Sequence, residues 1–264
     1  MIKIKNIDNF SLKDTFECGQ CFRFSENADS SYSGIAHGKL LRLEKSGKTL
    51  TIHGINESEY KQIWEEYFDL TRDYGEIIRI ISADETLKKA SEFGFGIRVL
   101  KQEPWETLCS FIISQNNNIK RIKGIVSRLC ECFGEKIEGG FAFPSAECLS
   151  ILTTEDLAPI RAGFRAKYII DAAQKVADGR VDFERVVALP LDDAREHLKL
   201  IKGVGDKVAD CTLLFGFGRI TAFPKDVWIK RALEKYFGGR LPEVATPYAG
   251  IAQQYIFNYM LSQG

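Results

Sequence analysis

Two residues in the second half of the chain have the types and spacing for covalent chemistry. Lys207 lies in IKGVGDKVADC, just after a glycine turn and just inside an apolar helical pattern. The partial positive charge of a helix N-terminus disfavours a cation there. The helix dipole and partial burial would therefore both favour the neutral form of the Lys207 amine. Asp226, in AFPKDVW, starts the next predicted helix. An amine can attack an electrophilic carbon while a carboxylate stabilises developing positive charge. The alternatives are a surface lysine and an aspartate that only caps its helix.

The four residues KGVG join two predicted helices just before this lysine. Two helices connected by so short a turn form a helix-hairpin-helix, whose exposed backbone N–H groups around Gly203 and Gly205 can hold a phosphate. A packing hairpin has the same pattern, whereas a dinucleotide-binding fingerprint is excluded because its third glycine and preceding strand are missing. Cys211, one turn beyond Lys207, shares its helix face, and we expect it to modulate the amine.

The elements that position these residues divide the chain into two parts. Up to about residue 54, short strand-like runs (QCFRFS, YSGIAHG, KLLRLEKSG and KTLTIHG) predict an antiparallel sheet. From NESEYKQIWEEYFDL onward the pattern is mostly helical, and the run from Asn116 to Asn118 marks a turn or cap between two helices. The fold class is therefore α+β. A small antiparallel β domain with flanking helices spans residues 1–95, and a helical domain spans residues 96–264.

Composition limits the classes of protein that fit. With 36 basic and 36 acidic residues among 264, the bulk charge indicates no polyanionic partner, but a neutral chain can still carry a basic face. Seven cysteines without framework spacing fit a reducing compartment. The CGQC segment has the form of a redox motif, but it begins a strand-like run and lacks a second pair, so a structural role is favoured. The absence of a signal peptide or membrane span predicts an intracellular protein without a membrane partner.

Five segments in order resemble the eukaryotic-type 8-oxoguanine DNA glycosylase/AP lyases of the helix-hairpin-helix (HhH-GPD) superfamily. They are GQCFRF, SQNNNIKRI, GFRAKY, GVGDKVADC with FPKDV, and PYAGIAQQYIF. The resemblance implies a helical HhH-GPD catalytic domain whose C-terminal helix returns to the lesion pocket. It also implies a base-excision-repair enzyme that rotates 8-oxoguanine out of duplex DNA. Lys207 would attack the sugar C1′ to form a Schiff base, from which β-elimination cuts the strand.

The resemblance assigns roles to the residues around the lesion. Asp226 would stabilise the cationic sugar, and Cys211 would line the pocket. The Gly19 carbonyl would accept a hydrogen bond from N7–H of 8-oxoguanine, whereas ordinary guanine has a lone pair there and would be repelled. Gln253 would bind the Watson–Crick edge and Phe257 would stack on the ring. These last two are four residues apart on one predicted helix and therefore project side by side.

Further residues match the family's contacts to DNA. Asn116, Arg121 and Arg165 would contact the cytosine left opposite the lesion, which predicts a preference for 8-oxoguanine paired with C. Phe164 would fill the opened base stack, where the eukaryotic enzymes carry tyrosine. The alternatives are an asparagine turn, solvated arginines and a buried phenylalanine. Trp228 stands where those enzymes have a phosphate-contacting histidine, and an indole carries no charge.

The family's iron–sulfur cysteine pattern, found in its endonuclease III relatives, is absent, so the resemblance implies no required cofactor or metal. A monovalent cation on the hairpin carbonyls stays open. The expected partner is double-stranded DNA containing 8-oxoguanine, and the expected protein is a monomer in a prokaryotic cytoplasm, associated with the nucleoid. Two other readings remain. A glycosylase for another oxidised or alkylated base is disfavoured by Gly19, Gln253 and Phe257. A non-catalytic DNA-binding module is disfavoured by Lys207 with Asp226.

Overall fold

A computed structural model describes residues 1–263, and its first part is a five-stranded antiparallel sheet. The strands are β1 (Ile2–Ile4), β2 (Phe24–Glu26), β3 (Tyr32–Ala36), β4 (Lys39–Ser46) and β5 (Thr49–His53). Their order is β1-β5-β4-β3-β2, with every neighbouring pair antiparallel. The predicted sheet is confirmed. The sequence patterns did not indicate β1, which pairs Ile2 with Ile52 at the sheet edge.

One helix lies between β1 and β2. Leu12–Glu17 forms α1, and the Ser11 side chain caps it by accepting a hydrogen bond from the Asp14 N–H at 3.2 Å. A serine at this position satisfies one of the free N–H groups of a helix start. This helix precedes the first predicted strand-like run, QCFRFS, and is one of the helices expected to flank the sheet.

The second part is helical apart from one short hairpin of strands, β6 (Lys136–Ile137) and β7 (Gly140–Phe141). Residues 57–67 are one helical stretch in which a π-helical turn, Tyr60–Trp64, separates α2 (Glu57–Glu59) from α3 (Glu65–Tyr67). The later helices are α4 (Tyr74–Ile81), α5 (Glu85–Phe93), α6 (Pro104–Ser114), α7 (Ile119–Phe133), α8 (Ala146–Ser150), α9 (Ala166–Ala177), α10 (Phe183–Ala188), α11 (Leu191–Leu198), α12 (Asp206–Phe215), α13 (Val227–Tyr236) and α14 (Ala249–Ser262). The predicted α+β class is confirmed.

The buried side chains form two cores, one between the sheet, α1 and residues 57–68, and one among the later helices. The segment after α1 contributes to both. Cys18 and Phe22 pack in the helical core, whereas Cys21 and Phe24 pack in the sheet core. This segment, which also contains Gly19, is therefore fixed between the two parts. The boundary between residues 95 and 96 stays a prediction.

The two cysteines of CGQC are buried structural side chains. Burial raises the pKa of the Cys18 thiol to about 12 and also raises the pKa of Cys21. The Cys18 S–H donates to the Thr15 carbonyl at 3.3 Å. Because thiolates carry the reactivity of cysteine, buried neutral thiols are inert, and this supports the structural interpretation. Within residues 1–263, no helix is both long and apolar enough to cross a membrane.

Candidate active site

Lys207 is the second residue of α12, and its half-buried side chain reaches back to α6. Its Nζ donates a hydrogen bond to Ser114 Oγ at 3.1 Å. The same nitrogen lies 4.9 Å from the centroid of the Phe111 ring, close enough for a cation–π contact. The amine is thus held between two helices instead of extending into solvent as an ordinary surface lysine does.

Asp226 is both a helix cap and a perturbed carboxyl group. Its Oδ1 accepts a hydrogen bond from the Ile229 N–H at 2.8 Å at the start of α13, so the cap interpretation is confirmed. Burial raises the pKa of the Asp226 carboxyl, against the opposing effects of the Ile229 N–H, the nearby Lys207 charge and the Trp228 N–H. Capping therefore does not exclude a role in chemistry, since the carboxyl group also lies within electrostatic reach of the amine.

Cys211 lies one turn beyond Lys207 on α12 and is buried. Burial raises the pKa of its thiol to about 12. The Lys207 charge and a side-chain hydrogen bond to Lys207 oppose this effect, while Asp226 adds to it. The side chain is therefore a neutral thiol one helical turn from the amine, on the helix face that the spacing predicted.

Of the two glycines in the hairpin before Lys207, only Gly203 is required by its backbone conformation and its neighbours. Gly203 has φ +80°, and an added Cβ would lie 2.6 Å from the Tyr168 ring, so only glycine fits. Gly205, the N-cap residue of α12, has no such neighbour. The hairpin is fixed to α9 by Asp171, whose Oδ2 accepts from the Lys202 N–H at 2.7 Å. The phosphate contact of the backbone N–H groups at the start of α12 stays a prediction.

Two carbonyls of the hairpin already accept hydrogen bonds from protein donors. Lys175 Nζ donates to the Leu200 carbonyl at 2.7 Å, and the Val204 N–H donates to the Ile201 carbonyl at 3.1 Å. A monovalent cation on the remaining hairpin carbonyls stays a prediction, as does the expectation that no cofactor is required. Among the described residues, no group of three or more His, Cys, Asp or Glu side chains is placed to hold a metal ion.

Gly19 lies against Phe257 from the far end of the chain, and Gln253 stands one turn before Phe257 on α14. Gly19 has φ +79°, and an added Cβ would be 3.3 Å from Phe257 Cε1. The neighbouring Gln254 fixes this approach, because its Nε2 donates to the Cys18 carbonyl at 2.7 Å across 236 residues. Gln253 is 5% exposed, and its Oε1 has no hydrogen-bond partner. Native proteins rarely leave a buried acceptor unsatisfied, so this atom is available for a ligand donor.

The residues predicted to face the opposite base surround the turn between α6 and α7. Asn116 is exposed and has φ +47°, a left-handed conformation that asparagine tolerates better than most residues. Asn118 caps α7, its Oδ1 accepting from the Arg121 N–H at 2.9 Å. The predicted turn and cap are thus confirmed. Arg121 itself is exposed to solvent in the first turn of α7, and its contact with the opposite base stays a prediction.

Arg165 is not solvated, which corrects one of the alternatives for this residue. It is 2% exposed and donates to the carbonyls of Gln115, Asn116 and Ala162, with Nε to Gln115 O at 2.8 Å and Nη2 to Asn116 O at 2.8 Å. Its guanidinium lies 4.4 Å from the centroid of the Phe164 ring. The buried alternative for Phe164 is also wrong, since this side chain is 50% exposed. Arg165 therefore supports both the turn and the exposed aromatic ring.

Trp228 is half-buried in the first turn of α13 and packs against the helical core. The Arg231 guanidinium lies 5.5 Å from its ring centroid, so a positive charge stands next to the uncharged indole. The phosphate contact of Trp228 stays a prediction, with Arg231 available to supply the charge that tryptophan lacks.

Two residues of this site were not found from the sequence. Ser114 is the last residue of α6 and contacts Lys207, and Gln254 holds the Gly19 segment on α14. Both lie next to residues that the sequence patterns did single out. Neither gives a signal of its own, because their partners are distant in sequence.

Comparison with known families agrees with this fold. Residues 109–243 match the family described as HhH-GPD superfamily base excision DNA repair protein, and the chain belongs to that superfamily. Residues 2–108 match the 8-oxoguanine DNA glycosylase, N-terminal domain. The resemblance drawn from the five sequence segments is therefore confirmed.

Individual proteins of this kind are similar along much or all of the chain. The N-glycosylase/DNA lyase of Saccharomyces cerevisiae is 39% identical over 64% of this chain, which spans about half (50%) of the length of that relative. The N-glycosylase/DNA lyase OGG1 of Arabidopsis thaliana is 29% identical over 94% of this chain and 73% of its own. The structure of Clostridium acetobutylicum 8-oxoguanine glycosylase/lyase, in complex with dsDNA containing cytosine opposite to 8-oxoG, has a TM-score of 0.93. It is 40% identical and covers 99% of this chain and 95% of that one.

Proposed function

We propose that the protein is a bifunctional DNA glycosylase and AP lyase that excises 8-oxoguanine from duplex DNA. One observation carries the proposal. The buried, unpartnered Gln253 Oε1 belongs to the group formed with Gly19 and Phe257, in a chain that also holds the Lys207 amine near the Asp226 carboxyl. A phosphate-binding module would require neither the amine nor the unsatisfied amide.

Recognition is proposed to use the Gly19 segment and the face of α14. The flipped base stacks on Phe257, whose ring edge lies beside Gly19. The Gln253 amide oxygen accepts a hydrogen bond from the Watson–Crick edge, which satisfies its free acceptor. The Gly19 carbonyl accepts from N7–H of 8-oxoguanine. Ordinary guanine presents a lone pair at N7, and two acceptors facing each other disfavour its binding.

Excision is proposed to proceed by attack of the neutral Lys207 amine on the sugar C1′. The nitrogen forms a bond to C1′ as the bond between C1′ and the base breaks, and the electron pair leaves with the base, which takes up a proton. The ionised Asp226 carboxyl, within electrostatic reach of the amine, stabilises the positive charge that develops on the sugar. After ring opening the adduct is a Schiff base. Loss of a C2′ proton then breaks the bond to the 3′ oxygen and cuts the strand by β-elimination.

The DNA surface is proposed to include the α11–α12 hairpin and the exposed side chains of Asn116, Arg121 and Phe164. These groups come from separate segments of the helical part. The hairpin would hold the phosphates, Asn116 and Arg121 would face the orphaned cytosine, and Phe164 would fill the vacated stack. A duplex substrate places the site of action at the chromosome. Action as a monomer associated with a prokaryotic nucleoid stays a prediction.

Borohydride trapping tests this proposal on three otherwise identical duplexes that contain 8-oxoguanine opposite C, guanine opposite C, or an alkylated purine. Borohydride reduces a Schiff base to a stable adduct between protein and DNA, which is detected on a denaturing gel. The expected result is an adduct with the 8-oxoguanine duplex only, which is lost in Lys207→Gln. An adduct that depends on the alkylated base would assign another lesion, and binding without any adduct would assign a non-catalytic module.

A further inference from the structure

Ser114 ends α6 directly beside the amine of Lys207. We infer that Ser114 is a positioning residue for the nucleophile, with its hydroxyl locked as a hydrogen-bond acceptor so that the amine is held by an N–H and keeps its lone pair free. The inference rests on the proposed function, because it concerns the lysine to which that function assigns the attack. It adds a residue that neither the spacing of the motifs nor the roles assigned above include.

The single proton of the Ser114 hydroxyl is already committed. Ser114 Oγ–H donates to the Phe111 carbonyl at 2.8 Å, within the last turn of the same helix. The last four carbonyls of a helix lack intrahelical N–H partners, and Phe111 is the fourth residue from the end of α6. The serine proton therefore satisfies an otherwise free carbonyl. A hydroxyl has one donor and two acceptor lone pairs, so only lone pairs remain to face Lys207 Nζ.

This orientation matters for a nitrogen nucleophile. An attacking amine must direct its lone pair at the electrophilic carbon, and a donor beside it would occupy that pair with a hydrogen bond. A neighbour that only accepts fixes the nitrogen through one of its N–H bonds and leaves the lone pair unengaged. Ser114 Oγ is such a neighbour, at 3.1 Å.

The amine has further neighbours on the same two helices, the Phe111 ring and the Cys211 thiol. The Phe111 ring lies under Nζ at 4.9 Å and, in the same helix, supplies the carbonyl that orients Ser114. The ring packs in turn against Phe22, with centroids 5.9 Å apart, and Phe22 belongs to the segment of Gly19. One turn of α6 therefore fixes the amine and also contacts the segment proposed to recognise the base. A small shift of α6 would misplace both.

The chain offers a matched control in Ser150. This serine is likewise the last residue of its helix, α8, and its Oγ donates to the carbonyl three residues before it, Glu147 O, at 2.8 Å. No lysine amine is paired with it among the described hydrogen bonds of that side chain. Ser150→Ala therefore reproduces the loss of a helix-terminal hydroxyl without touching the nucleophile.

The experiment compares Ser114→Ala, Ser114→Thr and Ser150→Ala with the unsubstituted protein. Single-turnover excision is measured on an 8-oxoguanine:C duplex, and the rate of borohydride trapping is measured on a duplex with a preformed abasic site. We expect Ser114→Ala to slow both by about tenfold, the effect of losing one hydrogen bond of ordinary strength at the reacting group. Its dissociation constant for a duplex with a reduced abasic-site analogue should stay within about twofold, because the hydrogen bonds of the Ser114 hydroxyl are to Lys207 and Phe111 within the protein.

Ser114→Thr should restore both rates to within about threefold, because a threonine hydroxyl can donate to the same backbone carbonyl. Ser150→Ala should react like the unsubstituted protein. Unchanged rates in Ser114→Ala, or a loss explained entirely by weaker DNA binding, would overturn the inference. A folded Ser114→Thr as slow as Ser114→Ala would also overturn it. Failure of the unsubstituted protein to form any adduct would instead refute the proposed function itself, so the two failures are distinguishable.

Discussion

Substitution of Gly19 tests the proposed recognition site through its geometry. Gly19 has φ +79°, and an alanine Cβ there would lie 3.3 Å from Phe257 Cε1, closer than side-chain carbons usually approach. Two separate effects follow in Gly19→Ala. The left-handed backbone costs about 1–2 kcal/mol for a residue with a Cβ. The aromatic ring must also move by a few tenths of an ångström, which changes the space in which the base is proposed to stack.

A second glycine separates these two effects. Gly179 has nearly the same backbone conformation, φ +75°, and no atom lies within 4 Å of an added Cβ. Gly179→Ala therefore reports the backbone strain alone. Both variants should lose about 1–2 kcal/mol of unfolding free energy. For a chain of this size, that corresponds to a decrease in Tm of roughly 2–4 °C for each kcal/mol.

The two variants should differ in activity. A displacement of about 1 Å at a reacting centre can reduce a rate about a hundredfold, so a few tenths of an ångström should reduce excision of 8-oxoguanine by Gly19→Ala roughly fivefold to tenfold. Cleavage at a preformed abasic site should not change, because no base is recognised there. Single-turnover kinetics on the two duplexes measure both quantities. If Gly179→Ala loses as much excision as Gly19→Ala, or if Gly19→Ala loses abasic-site cleavage equally, the placement of Gly19 against the base is refuted.

Three further predictions concern the amine, the carboxyl group and the opposite base. Lys207→Gln should abolish excision and borohydride trapping, since an amide cannot form a Schiff base. The variant should still bind damaged duplex in a gel-shift assay. If it retains excision and loses only strand cleavage, water is the nucleophile. Asp226→Asn should slow excision by about 10²–10³-fold with little loss in Tm, because asparagine is also a good N-cap. Burial raises the pKa of Asp226 above its ordinary value of 3.8. Excision should therefore fall as the pH decreases through that raised value, and Asp226→Asn should lack this acidic decline. Excision should be faster opposite C than opposite A by up to roughly a hundredfold, since a lost buried contact is worth about 1–3 kcal/mol. Arg121→Ala should reduce this preference more than it lowers the rate opposite C. Equal rates opposite C and A in the unsubstituted protein would contradict the contact between Arg121 and the opposite cytosine.

The sequence predicted the features that local rules control. The hairpin before Lys207, the Asp226 cap and the turn that Asn118 closes are each determined by residues within a few positions of one another. Helix caps and tight turns depend on hydrogen bonds between near neighbours, so residue type and spacing are sufficient to identify them. Local rules failed at β1, and the reason is pairing with a distant strand, β5.

The tertiary structure decided which distant residues meet. Spacing placed Gln253 beside Phe257 on one helix, but only packing of the two cores brings Gly19 to them, with Gln254 fixing the approach from the far end of the chain. Packing likewise set Ser114 against Lys207 and turned Arg165 inward against the turn between α6 and α7, instead of leaving it solvated. Contacts of this kind depend on how whole elements bury their apolar faces against each other. Residue spacing therefore does not predict this arrangement, because packing energy is shared among many side chains and does not belong to any one pair.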